Sequence, residues 1–206
     1  MKGLFITFEG SEGSGKSTQS RMLYQYLKRK KHKVIYLREP GGTAISEKIR
    51  QILLDARNDS MSGACEMLLY MAARAQLVRE VIRPALAKGA IVICDRFLDS
   101  TLAYQGYGLG MDKNFIRRVG RFVTGGLAPK VTIFLDLPVH KGLRHRQNAQ
   151  DRIEKRPLGY HKRVRSGYLS LARREPARFK VVKVQKDKYV TQSKIRELIE
   201  DAVRRH

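Results

Sequence analysis

Short apolar segments alternate with amphipathic segments along the chain. Runs rich in β-branched and aromatic residues predict five strands, at residues 4–10, 33–40, 90–96, 131–137 and 179–184. Helical patterning predicts helices at residues 16–31, 45–54, 65–87, 115–123, 159–174 and 191–205, the last with Thr191 as its N-cap. Because short buried strands that alternate with helices form parallel sheets, the pattern predicts an α/β fold with helices on both faces of the sheet.

Length and composition fit one soluble domain. The chain has 206 residues, of which 42% are hydrophobic and 30% charged, so we expect a single globular domain over residues 1–206. The apolar runs, such as residues 90–94, are too short to span a bilayer, and the N-terminus lacks the apolar stretch of a signal peptide. The two cysteines and five histidines show no metal-ligand spacing. We therefore expect a cytoplasmic protein without membrane association.

The formal net charge of +23 is unusual and uneven. Residues 141–206 alone carry 20 Lys and Arg against 7 Asp and Glu, a net charge of +13. Three interpretations are open at this point. The charge could bind nucleic acid, it could attract small polyphosphate substrates into a cleft, or it could belong to a solvated surface.

The segment GSEGSGKS, residues 10–17, matches the phosphate-binding motif G-x-x-x-x-G-K-[ST] and lies between a predicted strand and a predicted helix. Glycines let the backbone curl so that its N–H groups face an anion, and the positive end of the next helix points to the same place. Lys16 would neutralise the β- and γ-phosphates, and the Ser17 hydroxyl would ligate Mg²⁺. The predicted ATP-binding positions are Gly10, Ser11, Glu12, Gly13, Ser14, Gly15, Lys16, Ser17 and Thr18. The P-loop alone does not separate a kinase from a GTPase, a motor or a helicase.

Polar residues follow three of the predicted strands, at the sheet edge where parallel sheets bind ligands. Asp95 ends a buried run, where an acid can orient a metal, and Arg96 beside it could hold a phosphate; a structural salt bridge would explain the pair equally well. The string EPGGT, residues 39–43, breaks the chain after the second strand. The string DSTLAYQGYG, residues 99–108, mixes aromatic and amide side chains that could recognise a planar base, although a plain helix with a buried Tyr has the same composition.

Taken together and in this order, these strings resemble the bacterial thymidylate kinases over most of the chain. FEGSEGSGKST resembles their phosphate loop, REPGGT the loop after their second strand, DSTLAYQGYG their thymidine-recognising helix, and DRIE the end of their lid. The resemblance implies a nucleoside monophosphate kinase version of the P-loop fold, with a five-stranded parallel sheet and a short lid at about residues 141–158. It also implies transfer of the γ-phosphate of ATP to thymidine monophosphate, a need for Mg²⁺, and a homodimer.

The resemblance assigns the thymidine pocket to two helices. Tyr70 would stack on thymine where the family usually has Phe, and Arg74, on the same helix face, would bond the base. Gln105 would bond the base edge, and Thr101 and Tyr104 would line the same pocket.

The acceptor phosphate and the metal would be handled by other residues. The resemblance implies that Arg50 and Arg96 hold the acceptor phosphate. Glu39 and Asp95 would act near the metal and that phosphate, with Asp95 meeting the metal directly or through water. Phe97 stands where the family usually has Tyr, so any contact of that hydroxyl is missing.

A catalytic arginine is expected in the lid. The family places this arginine either in the phosphate loop or in the lid, and position 12 is Glu in this chain. The candidates are Arg144, expected near ATP, and Arg146 and Arg152, expected to act in catalysis together with Lys16.

Three other classes share the P-loop. Another small kinase on the same fold would use a different acceptor, and a regulatory nucleotide switch would hydrolyse slowly without one. A nucleic-acid-dependent ATPase would use the high charge, but it would need strand-contact motifs that the sequence lacks. We therefore expect ATP and thymidine monophosphate as partners and do not expect nucleic acid.

Overall fold

All five predicted strands pair in one parallel sheet in the order β2-β3-β1-β4-β5. The architecture comes from a computed structural model that describes residues 3–144 and 151–204. The strands are β1 (Phe5–Gly10), β2 (Val34–Arg38), β3 (Ile91–Asp95), β4 (Val131–Asp136) and β5 (Phe179–Lys183). The predicted α/β class and parallel sheet are confirmed. Because β1 lies between β3 and β4, the loops that follow β1 and β3 leave the sheet side by side.

Helices cover both faces of the sheet. They are α1 (Lys16–Arg29), α2 (Ala44–Leu54), α3 (Gly63–Leu77), α4 (Arg83–Ala87), α5 (Leu98–Thr101), α6 (Lys113–Thr124), α7 (Val139–Arg144), α8 (Leu158–Arg174) and α9 (Lys188–Arg204). Ile6 and Phe8 of β1 pack with Leu23 of α1 and Ile195 of α9 on one face, and Phe5 packs edge to face with Phe97 on the other. Successive side chains of β1 point to opposite faces of the sheet, so they contribute to two buried apolar layers. Among the described helices, none is long and apolar enough to cross a membrane.

The long helix predicted at residues 65–87 is interrupted. A π-helical segment, Val78–Ile82, separates α3 from α4. Pro84 has no N–H to donate to the carbonyl four residues earlier, and its ring crowds that carbonyl, so a regular α-helix does not pass through it unchanged. The periodicity found the helix but not this break.

The prediction of Thr191 as an N-cap is wrong. Helix α9 begins at Lys188, and the Asp187 carboxylate accepts a hydrogen bond from the Tyr189 N–H at 2.7 Å. Asp187 caps the helix, four residues before the predicted cap, because its carboxylate is placed to satisfy a free N–H of the first turn. Thr191 lies inside the helix, and its Oγ1 accepts from the Gln185 N–H at 2.9 Å.

Candidate active site

The phosphate loop joins β1 to α1 as its motif predicts. Gly13 and Gly15 adopt φ values of +69° and +83°, which a side chain would strain, and α1 begins directly afterwards. Lys16 is buried, and its Nζ donates to the Ser11 carbonyl at 2.9 Å. Burial, with a smaller effect from the charge of Arg96, lowers the pKa of Lys16 to about 8. A polyphosphate in this loop would therefore meet a poorly solvated ammonium group.

Ser17 and Asp95 meet beside the loop. The Ser17 Oγ donates to Asp95 Oδ2 at 2.5 Å, across the junction of the P-loop with the end of β3. Glu39, at the end of the neighbouring strand, has a buried Oε1 with no hydrogen-bond partner among the described residues. Burial raises the pKa of the Glu39 carboxyl. Oxygen donors of this kind fit Mg²⁺, which takes few protein ligands and completes its shell with phosphate and water.

Arg96 is the centre of a second group. Its φ of +75° is costly for a residue with a Cβ, and such conformations concentrate at functional sites. Its Nη2 donates to Glu12 Oε1 at 2.6 Å and to the Tyr104 hydroxyl at 3.0 Å, and its guanidinium lies 4.8 Å from the centre of the Tyr104 ring. The Tyr104 hydroxyl donates to Glu12 at 2.7 Å. The guanidinium is thus held in place beside the phosphate loop.

A buried acid behind Arg96 was missed by sequence reasoning. Glu9 accepts hydrogen bonds from the Phe97 N–H at 2.8 Å, from Ser100 Oγ at 2.5 Å and from the Tyr168 hydroxyl at 2.8 Å. Burial, together with the negative charge of Asp99, raises the pKa of Glu9 to about 7. The available signal was an acid near the end of an otherwise apolar strand, FITFEG.

The phosphate loop and the group around Arg96 share one cavity of about 390 Å³, which is large enough for a small ligand. The predicted site residues that line it are Glu12, Gly13, Gly15, Lys16, Ser17, Thr18, Glu39, Arg50, Tyr70, Asp95, Arg96, Thr101, Tyr104 and Gln105. Lining residues that were not predicted are Arg38, Pro40, Leu54, Ser100, Asp151 and Ile153. Gly10, Ser11 and Ser14 belong to the phosphate loop but are not part of the cavity wall.

Arg74 lies beneath the cavity and not on its wall. Its guanidinium is fully buried and donates to Glu39 Oε2 at 2.8 Å, to Thr101 Oγ1 at 3.0 Å and to the Phe97 carbonyl at 3.0 Å. Arg74 therefore connects α3 to the residues that follow β2 and β3, and it positions two of the cavity-lining side chains.

The predicted lid arginines occupy different surroundings. Arg144 is exposed at the end of α7, and Arg146 lies outside the described residues. Arg152 is buried away from the cavity wall; its Nη2 is 2.5 Å from Glu66 Oε2, and its Nε donates to the Leu53 carbonyl at 3.2 Å.

The phosphate loop also touches α7 closely. A Cβ on Gly142 would lie 2.2 Å from the Glu12 carbonyl oxygen, and a Cβ on Gly13 would lie 2.0 Å from the Gly142 carbonyl oxygen. These contacts allow no side chain on either residue, so the helix that leads into the predicted lid rests directly on the P-loop.

Known proteins resemble this chain in sequence and in fold. A sequence model of the family described as thymidylate kinase matches residues 8–195, which include the P-loop, the cavity and α8. The chain belongs to the thymidylate kinase family. The thymidylate kinase of Desulforudis audaxviator is 45% identical to it, over 98% of this chain and 94% of the relative. The thymidylate kinase of Symbiobacterium thermophilum is 48% identical, over 98% and 95%.

A solved structure extends the likeness from sequence to fold. The crystal structure of thymidylate kinase from Ehrlichia chaffeensis matches with a TM-score of 0.81 and 32% identity, and the match covers 97% of this chain and 99% of that one. The family assignment implied by the GSEGSGKS, EPGGT and AYQG strings is therefore confirmed, together with the P-loop fold.

Proposed function

We propose that this member of the thymidylate kinase family transfers the γ-phosphate of ATP to thymidine monophosphate, giving thymidine diphosphate and ADP for dTTP synthesis. The observation that carries the proposal is the shared cavity. Lys16 of the phosphate loop lines the same cavity as Arg96, which lies on the acceptor side. Tyr70 and Gln105 also line it, and their side chains suit a flat base. A donor site and an acceptor site that open into one space suit direct transfer.

The donor side is proposed to bind ATP with Mg²⁺. Ser17 and Asp95 would hold the ion, directly or through water, with Glu39 close by. When bound, the ion supplies neutralisation of charge on the β- and γ-phosphates. Lys16 and the N-terminus of α1 add positive charge from the protein, and they would keep the terminal phosphate at one end of the cavity.

The acceptor side is proposed to orient a monophosphate. Arg96, locked by Glu12 and Tyr104, and Arg50, whose Nη1 donates to the Pro40 carbonyl at 3.0 Å, would hold the acceptor phosphate. An acceptor phosphate is already ionised, so the chain needs no general base. The task of these arginines is alignment and charge neutralisation, which dominate phosphoryl transfer.

The segment at about residues 141–158 is proposed to form a lid within a single kinase domain. Arg144, Arg146 and Arg152 are its candidate arginines, and closure would exclude water that otherwise would hydrolyse ATP. The contact of Gly142 with the P-loop supports the proposal, because it joins the start of this segment to the donor site.

A homodimer is proposed from the exposed apolar side chains on neighbouring helices. The exposed residues are Ile45 and Ile52 of α2, Leu68 of α3, and Phe115 and Phe122 of α6. Helix α3 packs against both α2 and α6, so the three helices form one continuous surface. Exposed apolar patches of this kind mark protein–protein contacts.

A cytoplasmic location is proposed as well, and it agrees with the unpaired thiols of Cys65 and Cys94.

The test is ADP formation from ATP and Mg²⁺ with a panel of acceptors. Thymidine monophosphate should stimulate ADP release strongly, while the monophosphates of adenosine, guanosine and deoxycytidine should not. Stimulation by a different monophosphate would assign another acceptor to the same site. No stimulation by any monophosphate would contradict the transfer itself.

A further inference from the structure

A fully buried carboxylate joins the base side of the cavity to the predicted lid. Glu66, in the first turn of α3, has no exposed surface. Its Oε1 accepts from Gln105 Nε2 at 2.7 Å, and its Oε2 lies 2.5 Å from Arg152 Nη2 and 2.6 Å from Arg156 Nη2. Burying a carboxylate is costly unless it is paired, and both oxygens of this one have partners.

The two arginines keep Glu66 in one place. Arg156 also donates to the Tyr160 hydroxyl at 2.7 Å, and its guanidinium lies 4.6 Å from the centre of the Tyr160 ring. Arg152 is tied to α2 through the Leu53 carbonyl. With two guanidinium groups on Oε2, the carboxylate presents Oε1 to Gln105 and has no freedom to turn away.

This contact determines which end of the Gln105 amide remains available. An amide side chain has a donor nitrogen and an acceptor oxygen, whereas an ionised carboxylate only accepts. The nitrogen of Gln105 must therefore face Glu66, which leaves Oε1. Gln105 Oε1 makes no hydrogen bond to the described residues, and Gln105 lines the cavity together with Tyr70 and Thr101.

Pyrimidine bases differ at the atom that an amide oxygen would meet. Thymine and uracil carry a hydrogen on N3, which an amide oxygen accepts. Cytosine has a lone pair on N3, which an amide oxygen repels and an amide nitrogen would bind. A Gln105 amide that presents its oxygen to N3 therefore disfavours cytosine, because that oxygen would be left unpaired.

We propose that Glu66 is a positioning residue that selects pyrimidines with an N3–H, by holding Gln105 with its amide oxygen toward the base. Glu66 acts through Gln105 and does not touch the substrate. The inference rests on the proposed function, since it concerns the acceptor of that reaction.

The test is the isosteric variant Glu66→Gln, with kcat/KM measured for thymidine monophosphate and deoxycytidine monophosphate. A Gln at position 66 can donate as well as accept, so the Gln105 amide can turn over. The ratio of kcat/KM for thymidine monophosphate to kcat/KM for deoxycytidine monophosphate should fall by about tenfold or more, which corresponds to one hydrogen bond. The change should appear mainly in KM, because the base is bound equally in the ground state and the transition state.

Two further variants separate this role from a structural one. Arg156→Met removes one ion pair of Glu66, but Arg152 still holds Oε2 and Oε1 still accepts from Gln105, so the ratio should stay at its wild-type value. In the double variant with Gln105→Ala, Glu66→Gln should cause no additional loss of discrimination, because both changes act on one contact. An unchanged ratio in Glu66→Gln, an equal fall in Arg156→Met, or additive effects would each overturn the proposal.

A measurement on the wild-type protein decides the matter if Glu66→Gln does not fold. The side-chain N–H groups of Gln105, observed by nitrogen-15 NMR, should exchange slowly with solvent both with and without thymidine monophosphate. Fast exchange without the ligand would show that Glu66 does not hold the amide. If the wild type does not phosphorylate thymidine monophosphate, the proposed function fails. If the wild type phosphorylates it and the ratio of the two kcat/KM values is unchanged in Glu66→Gln, only this inference fails.

Discussion

At the residue scale, the site depends on side chains that hold other side chains. Arg96 is locked by Glu12 and Tyr104, and Arg74 by Glu39 and Thr101. Each of these residues was identified from the sequence as a site residue. Their mutual contacts were not, because a hydrogen bond between residues far apart in the chain is set by the fold. Arg74, for example, was expected to meet a base, but its hydrogen bonds to Glu39 and Thr101 hold it below the cavity wall.

Glu9 gives the residue-scale prediction. Its pKa is raised from 4.5 to about 7, so in the folded state it keeps its proton where the unfolded chain has lost it. The stability it contributes is present below about pH 4.5 and is lost as the pH rises toward about 7, at about 1.4 kcal/mol per unit while only the unfolded state is ionised. The neutral isostere Glu9→Gln should remove this slope.

The measurement is urea unfolding of the wild type and of Glu9→Gln across this pH range. The difference between the two unfolding free energies isolates Glu9 from the other titrating groups. A difference that stays constant with pH would show that Glu9 is ionised throughout.

At the element scale, continuous apolar runs located every strand, because central strands of a parallel sheet are buried on both faces, and the helical period located the long helices, because burial of one face imposes it. It did not locate the π-helical segments Val78–Ile82 and Leu102–Gly108. The first depends on Pro84. The second lies in the string expected to recognise the base, and there Gly108 lets α8 approach, since a Cβ would lie 2.6 Å from the Tyr160 ring. Close approach between helices is a property of the packed structure and not of local periodicity.

The contact between α7 and the P-loop predicts an unusual effect of an alanine. In most helices Gly→Ala stabilises by about 0.5–1 kcal/mol. Gly142→Ala should instead lower the free energy of unfolding by about 1–3 kcal/mol, because its Cβ would meet the backbone of Glu12. ATP affinity should fall too. The control is Gly159→Ala in the first turn of α8, where the nearest atom is 3.8 Å away; equal effects of the two variants would refute the contact.

The variant Arg152→Ala tests whether the proposed lid supplies the catalytic arginine. If Arg152 acts on the γ-phosphate during closure, Arg152→Ala should lower kcat by about 10³-fold or more and leave ATP affinity little changed. Steady-state kinetics and ATP titration measure the two effects separately. A raised KM for thymidine monophosphate with an unchanged kcat would instead assign Arg152 to the support of Glu66, where the structure places it. The catalytic arginine would then be sought at Arg146 or Arg144.

At the scale of the whole molecule, the net charge of +23 becomes easier to interpret. Six acids are buried, and they are Glu9, Glu12, Glu39, Glu66, Asp95 and Asp99. All six lie in or behind the cavity region or in ion pairs with arginines, so 13 of the 19 acidic residues are left to offset the excess of Lys and Arg elsewhere. A basic surface around a phosphate-binding cavity favours the attraction of nucleotide polyphosphates.

The proposed dimer gives a prediction at the same scale. Phe122 of α6 is 85% exposed and belongs to the set of exposed apolar side chains on α2, α3 and α6, and such patches mark protein–protein contacts. Phe122→Glu should convert the dimer to monomers, as measured by sedimentation equilibrium. The control is Tyr189→Glu on α9, which is also exposed but lies on another helix and should leave the dimer intact. A wild-type protein that sediments as a monomer would contradict the proposal.

The fate of the γ-phosphate tests the central claim most directly. With γ-labelled ATP, Mg²⁺ and thymidine monophosphate, the label should appear in thymidine diphosphate and not in free phosphate. Lys16→Ala should abolish the transfer and keep the unfolding temperature, whereas Lys162→Ala, which removes an exposed charge from α8, should transfer normally. Label that appears only as free phosphate, or near-normal transfer by Lys16→Ala, would contradict the account.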